Sequence, residues 1–340
     1  LRTLTCNGNP IEHVDVDGCT SLQYLNLQGV TTNAISNSAI SIDGYSQAST
    51  LHFTAKNTPF TSFTVKNSAD LAVLEFYGEF TDVAVTDNSV LESLVFHTPA
   101  VNATLSGNSS LKGIDVSAMG TLESLDVQKC CLQTLDVTKN LALTSLVCNN
   151  NELTSLDVSN NTSLVKFYCN DNKLPKINVT ANTALQEFDV SNNLLSALNV
   201  RNNTALTYLS VSNNAELSIL NVDYNTALET LYAEGLAIGE LNIVENSKLS
   251  TISLINNDLL SVVYVWDDFM SYSECLYVNH NFTFENNSGT TLRESYVIGS
   301  YVTPIGCKSN SSGIICATHY IMSMDETLCT SLNSAKSWCY

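Results

Sequence analysis

Basic residues are scarce in this chain of 340 amino acids. It has 14 lysines and arginines against 33 aspartates and glutamates, which gives a formal net charge of −19. A surface of that sign repels phosphate groups, so we expect neither nucleic acid nor an anionic membrane surface as a partner. Charged residues make up only 14% of the sequence, compared with roughly 25% in ordinary globular domains. Asparagine, serine and threonine take their place.

Long apolar runs and catalytic signatures are also missing. No stretch of 18 apolar residues occurs, so we expect no membrane-spanning segment. The sequence has no H-E-x-x-H motif, no G-x-S-x-G elbow, no glycine-rich phosphate loop and no C-x-x-C pair. Cys316 lies three residues before His319, but a structural thiol near a surface imidazole explains that pair without catalysis. We predict a non-enzymatic protein with no catalytic residue, no metal site and no cofactor.

A motif of about 21 residues dominates the sequence instead. "LTSLVCNNNELTSLDVSNNTS" (residues 143–163) is followed at once by "LVKFYCNDNKLPKINVTANTA" (residues 164–184), and the two align nearly position by position. Each unit consists of a first half-unit, L-x-x-L-x-C/V-x-x-N-x, and a second half-unit, L-x-x-L-D/N-V-x-x-N-T-A. Positions 4 and 6 of an extended half-unit share one side, and position 5 faces the other. We predict a short strand with one buried side, followed by a turn that asparagine stabilises.

The register of this motif is regular over more than 120 residues. First half-units begin at Leu143, Leu164, Leu185, Leu206, Leu228 and Leu249, and second half-units at Leu153, Leu174, Leu195, Leu217, Ile238 and Leu259. Asparagine occupies nearly every turn, at Asn151, Asn172, Asn193, Asn214 and Asn257 in the first half-units and at Asn161, Asn182, Asn203, Asn225 and Asn246 in the second. Leu236 is the one departure, and it suggests a turn of different shape.

These residues resemble a leucine-rich repeat, L-x-x-L-x-L-x-x-N/C-x-L within 20–29 residues. More narrowly, they resemble bacterial repeats of about 21 residues with two similar halves, found on exported surface proteins of anaerobic gut bacteria. The resemblance covers residues 1–269. It implies a mainly β solenoid with parallel sheets on two sides and little helix. It also implies a secreted or cell-surface location and a role in adhesion.

We expect two parts in the chain. Residues 1–269 form the predicted solenoid, which is irregular over 22–50 and has a change of phase over 111–142. There, three half-units follow one another, so either one turn is wider or the two half-units exchange roles. Residues 270–340 form a small β-rich cap. Its last segment, "SGIIC…IMSMDET…AKSWCY", resembles the start of a module attached to exported bacterial proteins, which implies that this module is truncated here.

The outward positions of the first half-units are the predicted binding site. They vary where the scaffold does not dictate the residue, and tyrosine rings with hydroxyl groups suit protein or glycan contacts. Tyrosine also favours strands for reasons of packing alone. The candidate residues are Lys166, Tyr168, Glu187, Asp189, Tyr208 and Tyr232. Two alternatives remain open: a structural stalk that presents the C-terminal module, or lectin or enzyme activity within that module.

Position 5 of the second half-units forms another outward column of Asp and Asn. Its members are Asp115, Asp126, Asp136, Asp157, Asn178, Asn199, Asn221 and Asn242. Stacked carboxylates of this kind could hold calcium. Calcium requires several oxygens that converge on one point, whereas a straight column does not converge. We therefore predict a hydrogen-bonded Asn/Asp ladder that is exposed to water.

Overall fold

Parallel strands of three to six residues are the main regular structure of the computed structural model. The structure describes residues 3–5, 13–15, 24–26, 39–44, 49–55, 61–78, 80–97, 99–266, 275–278, 283–286, 291–294, 303–304, 306–310 and 313–317. No helix occurs among these residues, and none that could cross a membrane. The chain divides into two units, residues 1–185 and 186–340.

The first unit contains thirteen strands in the segments that are described. They are β1 (Thr3–Thr5), β2 (His13–Asp15), β3 (Tyr24–Asn26), β4 (Ala39–Asp43), β5 (Thr50–Ala55), β6 (Ser62–Lys66), β7 (Val73–Gly78), β8 (Asp82–Thr86), β9 (Ser93–Phe96), β10 (Asn102–Thr104), β11 (Ser124–Asp126), β12 (Ser145–Val147) and β13 (Lys166–Tyr168). One parallel ladder runs β4-β6-β8-β10-β11-β12-β13, and a second runs β2-β5-β7-β9, while β1 pairs with β3. The first ladder carries the predicted binding residues Lys166 and Tyr168 on β13, and for that reason it is called the recognition side below.

The second unit continues the same plan. Its strands are β14 (Glu187–Asp189), β15 (Tyr208–Ser210), β16 (Thr230–Tyr232), β17 (Glu240–Asn242), β18 (Thr251–Ser253), β19 (Val262–Val265), β20 (Cys275–Val278), β21 (Thr283–Asn286), β22 (Thr291–Glu294), β23 (Thr303–Pro304), β24 (Gly306–Asn310) and β25 (Gly313–Ala317). The recognition side here is the parallel ladder β14-β15-β16-β18-β20, and β17-β19-β21 form a second parallel ladder. The prediction of a mainly β repeat solenoid with parallel sheets on two sides is confirmed.

Parallel pairing does not stop at residue 269. β20 pairs with β18, and β21 pairs with β19, both in parallel. Antiparallel pairing begins with β22 and β23, and β24 and β25 form a hairpin that sets Cys307 opposite Cys316 in backbone register. The division into a solenoid over 1–269 and a cap over 270–340 stays a proposal, and such a cap would begin with strands that extend both ladders. His319 lies outside the described residues.

Leucine and phenylalanine fill the space between the two sides. Leu143, Leu146 and Cys148 are completely buried, as positions 1, 4 and 6 require. Phenylalanine replaces the aliphatic residues upstream, where the strands are longer. The ring of Phe63 on β6 lies 4.9 Å from that of Phe53 and 4.8 Å from that of Phe76, measured between centroids. Each coil, meaning one complete repeat unit, therefore shelters its apolar side chains against the next.

A buried asparagine joins each coil to the coil before it. In the first half-unit, Asn151 Nδ2 donates to the carbonyl of Val127 at 2.9 Å and of Cys148 at 3.0 Å. Its Oδ1 accepts from the amides of Cys130 and Leu132 at 3.2 and 2.9 Å. Asparagine can bond in this way because its amide carries two donors and an acceptor. The residue before it has a positive φ, 56° at Asn150, a conformation that Asn, Asp and Gly tolerate best.

The turn at Leu236 has the same backbone, so the expectation of a different shape there is wrong. Gly235 has a φ of 60°, like the residues at the equivalent position of neighbouring coils. The amide of Leu236 donates to Asn257 Oδ1 at 2.8 Å, which is the bond that Cys130 makes to Asn151. The leucine side chain is buried in place of an asparagine. The turn keeps its shape because glycine supplies the positive φ and Asn257 supplies the acceptor.

Whether the change of phase over 111–142 is a wider turn or an exchange of roles stays a prediction, and the strand pairing favours an exchange. β11 pairs in register with β10 on one flank and with β12 on the other, so the recognition side runs through without interruption. Upstream, the half-units that begin at Leu71 and Leu91 contribute β7 and β9 to the opposite ladder. An additional positive φ at Cys131, 61°, is the local departure in this region.

The second half-units are less regular than the first. Between residues 111 and 222 they form only isolated bridges, between Asp115 and Asp136 and from Asn221 to Asn242. Each Asp or Asn at position 5 bonds the backbone two residues ahead instead, as Asp157 does with the amide of Ser159 at 2.9 Å. Such local bonds compete with ladder formation. The predicted Asn/Asp ladder is therefore wrong, because these side chains close their own turns.

Replacing Asn161 by alanine tests the turn. Its side chain is fully buried and donates to Val137 O at 3.0 Å and to Asn140 O at 2.8 Å. We expect the variant to lose about 2 kcal/mol of unfolding free energy, because two buried carbonyls lose their donor. The neighbouring Asn160→Ala removes an exposed amide, whose hydrogen bond to Thr138 O at 3.2 Å is open to water, and should cost about 0.5 kcal/mol or less. Urea denaturation of both variants is the measurement, and equal losses would contradict the role of the buried amide.

Candidate recognition face

The first half-unit strands hold one side chain inward and two outward. Position 4 lies in the core, as Phe167 and Leu231 do with no exposed surface. Positions 3 and 5 point away from the core and are partly exposed on most strands, including Lys166 and Tyr168 on β13. The parallel register places each outward residue beside its equivalent on the next coil, such as Ser145 beside Lys166. The face is thus a regular grid of outward residues, and a row of buried apolar residues at position 4 supports it.

In the first unit, Lys166 and Tyr168 come together. Lys166 Nζ lies 4.4 Å from the centre of the Tyr168 ring, within the range of a cation–π contact. The neighbouring strand contributes Ser145 and Val147 at the paired positions. Two of the six predicted residues therefore form one contact of defined geometry.

In the second unit, the other four predicted residues lie on three consecutive strands. Glu187 pairs with Tyr208 in register, and Tyr208 pairs with Thr230 on β16. The rings of Tyr208 and Tyr232 meet edge to face, with centroids 5.9 Å apart and an interplanar angle of 62°. Asp189 lies two residues after Glu187 and accepts from the amide of Ser191 at 3.0 Å. That all six residues form one binding site stays a prediction.

Small side chains frame the tyrosine of β16. Ser210 and Ser253 are the register partners of Tyr232 on its two sides, and both are buried although they occupy outward positions. Glu234, two residues beyond the strand, accepts a hydrogen bond from Ser253 Oγ. The backbone amide of Glu234 donates to Ser212 Oγ at 3.1 Å. A bulky ring between small serines makes Tyr232 the prominent feature of this part of the face.

The electrostatic environment of Tyr208 is negative. Burial, together with the charge of Asp189 and the neighbouring Tyr232, raises the pKa of the Tyr208 hydroxyl to about 12. The phenol therefore stays neutral and able to donate a hydrogen bond at physiological pH.

A second polar cluster, which the sequence did not reveal, lies on the opposite ladder of the first unit. His52 Nδ1 lies 2.7 Å from Glu75 Oε2, and His97 Nε2 lies 2.7 Å from Glu75 Oε1. Tyr77 OH donates to Glu75 Oε1 at 2.9 Å, and its ring stacks on His97 at 4.0 Å between centroids. The two histidines are 45 positions apart in the sequence, so only the register of β5, β7 and β9 indicates that both lie beside Glu75.

Nucleophilic and metal chemistry find little support in the described parts of the chain. Cys130, Cys148 and Cys169 are buried thiols outside any disulfide, as expected of small apolar side chains. Burial raises the pKa of Cys130 to about 11 and that of Cys148 further, so both stay protonated and unreactive. Among the described residues, no group of three or more His, Cys, Asp or Glu side chains is placed to hold a metal ion.

The repeat period, the buried leucine columns and the parallel ladders decide the fold class. The fold is a leucine-rich-repeat solenoid. No protein-family model matches the chain, and no curated protein matches it. Solved structures that are similar to it include proteins of two bacteria and TLR13.

Three such structures illustrate the likeness. The functional domain of InlJ from Listeria monocytogenes, described as including a cysteine ladder, is 20% identical, with a TM-score of 0.40 over 79% of this chain and 68% of that chain. A leucine-rich-repeat protein of Leptospira interrogans is 17% identical, with a TM-score of 0.46 over 84% and 80%. TLR13, in a complex with ssRNA13, is 13% identical, with a TM-score of 0.38 over 82% of this chain and 50% of that chain.

The His52–Glu75–His97 cluster makes stability depend on pH in acid. Hydrogen bonding with His97 and then Tyr77 holds the pKa of Glu75 below its usual value. A carboxyl with a lowered pKa stabilises the fold above its unfolded-state pKa, and this contribution is lost as the pH falls through the folded-state value. We expect the melting temperature of the wild type to exceed that of Glu75→Gln near neutral pH, and the gap to close below pH about 4.5.

Glu92→Gln is the matched control, since it removes the same charge from an exposed position in the same unit. Thermal melts of the three proteins across this pH range are the measurement. A gap for Glu75→Gln that is constant with pH would contradict the assignment.

Proposed function

We propose that this chain is a non-enzymatic recognition protein, secreted or held at the cell surface, that binds a protein ligand through its recognition side. The observation that carries this is the contrast between inward and outward positions. On β14, β15, β16 and β18 the inward residue is always a buried Phe, Leu or Ile. The outward residues at position 3 are Glu187, Tyr208, Thr230 and Thr251, and at position 5 Asp189, Ser210, Tyr232 and Ser253.

Packing of the core does not determine which residues occupy these outward positions, so the outward residues can be chosen for binding. Tyrosine provides a large rigid contact surface with a polar end and loses little conformational entropy, which is why it is enriched at interfaces. The location outside the cell and the adhesive role rest on the resemblance of the repeat to those of exported bacterial proteins. A net charge of −19 disfavours nucleic acid as the ligand.

Arrays of host-matrix proteins and glycans test this function. The intact chain is compared with Tyr208→Ser/Tyr232→Ser and with a control, Tyr224→Ser/Tyr264→Ser, whose tyrosines belong to second half-units. We expect a protein ligand that the control retains and the recognition-side variant loses by about tenfold or more, as central aromatic contacts do.

Other results would select the alternatives. Ligands that all three proteins bind equally would exclude the recognition side and favour the stalk. Binding that disappears on deletion of residues 270–340 but survives the tyrosine changes would place recognition in the C-terminal part. A glycan as the retained ligand would correct the class of partner.

A further inference from the structure

One contact within the chain shows what its outward tyrosines can bind. Tyr168 and Tyr232 both occupy position 5 of a first half-unit strand. Lys166, at position 3 of the same strand as Tyr168, places Nζ 4.4 Å from the centre of that ring. In the second half-units, the guanidinium carbon of Arg201 lies 4.4 Å from the centre of the Tyr224 ring. Cations thus cover two tyrosines of this protein, the half-buried Tyr168 and the exposed Tyr224.

Tyr232 differs from Tyr168 in this respect. The position that corresponds to Lys166 is Thr230, and the paired residues at position 3 of the adjacent strands are Tyr208 and Thr251. None of these carries a positive charge, and no lysine or arginine lies over the Tyr232 ring in the described part of the second unit. The edge-to-face contact with Tyr208 fixes the orientation of the ring.

The surroundings of Tyr232 carry charge of one sign. Glu229 is exposed and lies immediately before β16, and Glu234 lies two residues after its last residue. The outward positions of β14, β15, β16 and β18 contain two further carboxylates, Glu187 and Asp189, and no lysine or arginine. An aromatic ring on a strand with a carboxylate near each of its ends attracts a cation by both its quadrupole and the local field.

We propose that the recognition side of the second unit binds a partner protein segment whose arginine or lysine side chain lies over Tyr232, between Glu229 and Glu234. This rests on the proposed function and names the chemistry of its partner. Charge complementarity favours a basic segment over the alternatives, because acidic glycans would be repelled. A neutral sugar would gain little from the flanking carboxylates in comparison with an ammonium or guanidinium group.

The binding of short labelled peptides to the intact chain, followed by fluorescence anisotropy at low salt, tests the proposal. One peptide alternates arginine with serine, and its matched partner replaces each arginine by citrulline, which has the same shape without the charge. We expect the arginine peptide to bind about tenfold more tightly. Tyr232→Ser should weaken it by about fivefold or more, whereas Tyr232→Phe should stay within about twofold because the ring is kept.

The charge-matched control separates this site from the general acidity of the protein. Glu229→Gln/Glu234→Gln and Glu240→Gln/Glu245→Gln remove the same number of charges, the second pair from exposed positions of a second half-unit. We expect about a fivefold loss for the first pair and less than about twofold for the second. Equal losses for both pairs, or an arginine peptide that binds no better than its citrulline partner, would overturn the proposal.

The recognition function and the basic partner can be tested separately. If the arrays yield a ligand that requires Tyr208 and Tyr232 while the two peptides bind alike, the recognition function holds and the basic partner is wrong. If the tyrosine changes affect neither the array ligand nor the arginine peptide, both are wrong. Circular dichroism of every variant should match the wild type, since Gln keeps the acceptor that Glu234 offers to Ser253.

Discussion

A buried asparagine at the end of nearly every half-unit between residues 143 and 257 holds one coil to the coil before it. In the first half-units its amide donates to carbonyl groups of two coils, and its oxygen accepts an amide of the earlier coil, as Asn172 does with Leu153 at 3.0 Å. In the second half-units, Asn225 donates to Val200 O and Asn203 O at 2.9 and 2.8 Å. An unbonded backbone group in these positions would cost free energy comparable to a lost hydrogen bond. The spacing of the asparagines therefore fixes the spacing of the coils.

The buried asparagines and leucines determine the scaffold but not the residues at its outward positions. Every first half-unit strand delivers two outward residues at the same places on the grid, whatever those residues are. The chain can therefore carry lysine beside tyrosine in one coil and serine beside tyrosine in another at no cost to the core. This independence of scaffold and surface is the physical basis for recognition by a solenoid, and it explains why function has to be argued from the outward residues.

The sequence predicted what depends on local periodicity. Buried positions, turn asparagines and parallel sheets all follow from the repeat of about 21 residues and its two half-units. It did not predict contacts that depend on register between distant strands, such as His52 and His97 on either side of Glu75. Two predictions about local structure were wrong. Gly235 and Asn257 preserve a turn that Leu236 was expected to change. The Asp and Asn side chains at position 5 of the second half-units bond the backbone two residues ahead instead of forming the predicted Asn/Asp ladder.

Hydrogen exchange of the backbone amides tests the central claim most directly. If buried asparagines join successive coils, slow exchange should recur at intervals of about 21 residues. It should fall on the amides that bond an asparagine oxygen, such as those of Leu132, Leu153 and Leu195. Protection that falls on exposed turn residues instead, or that shows no such period, would contradict the account.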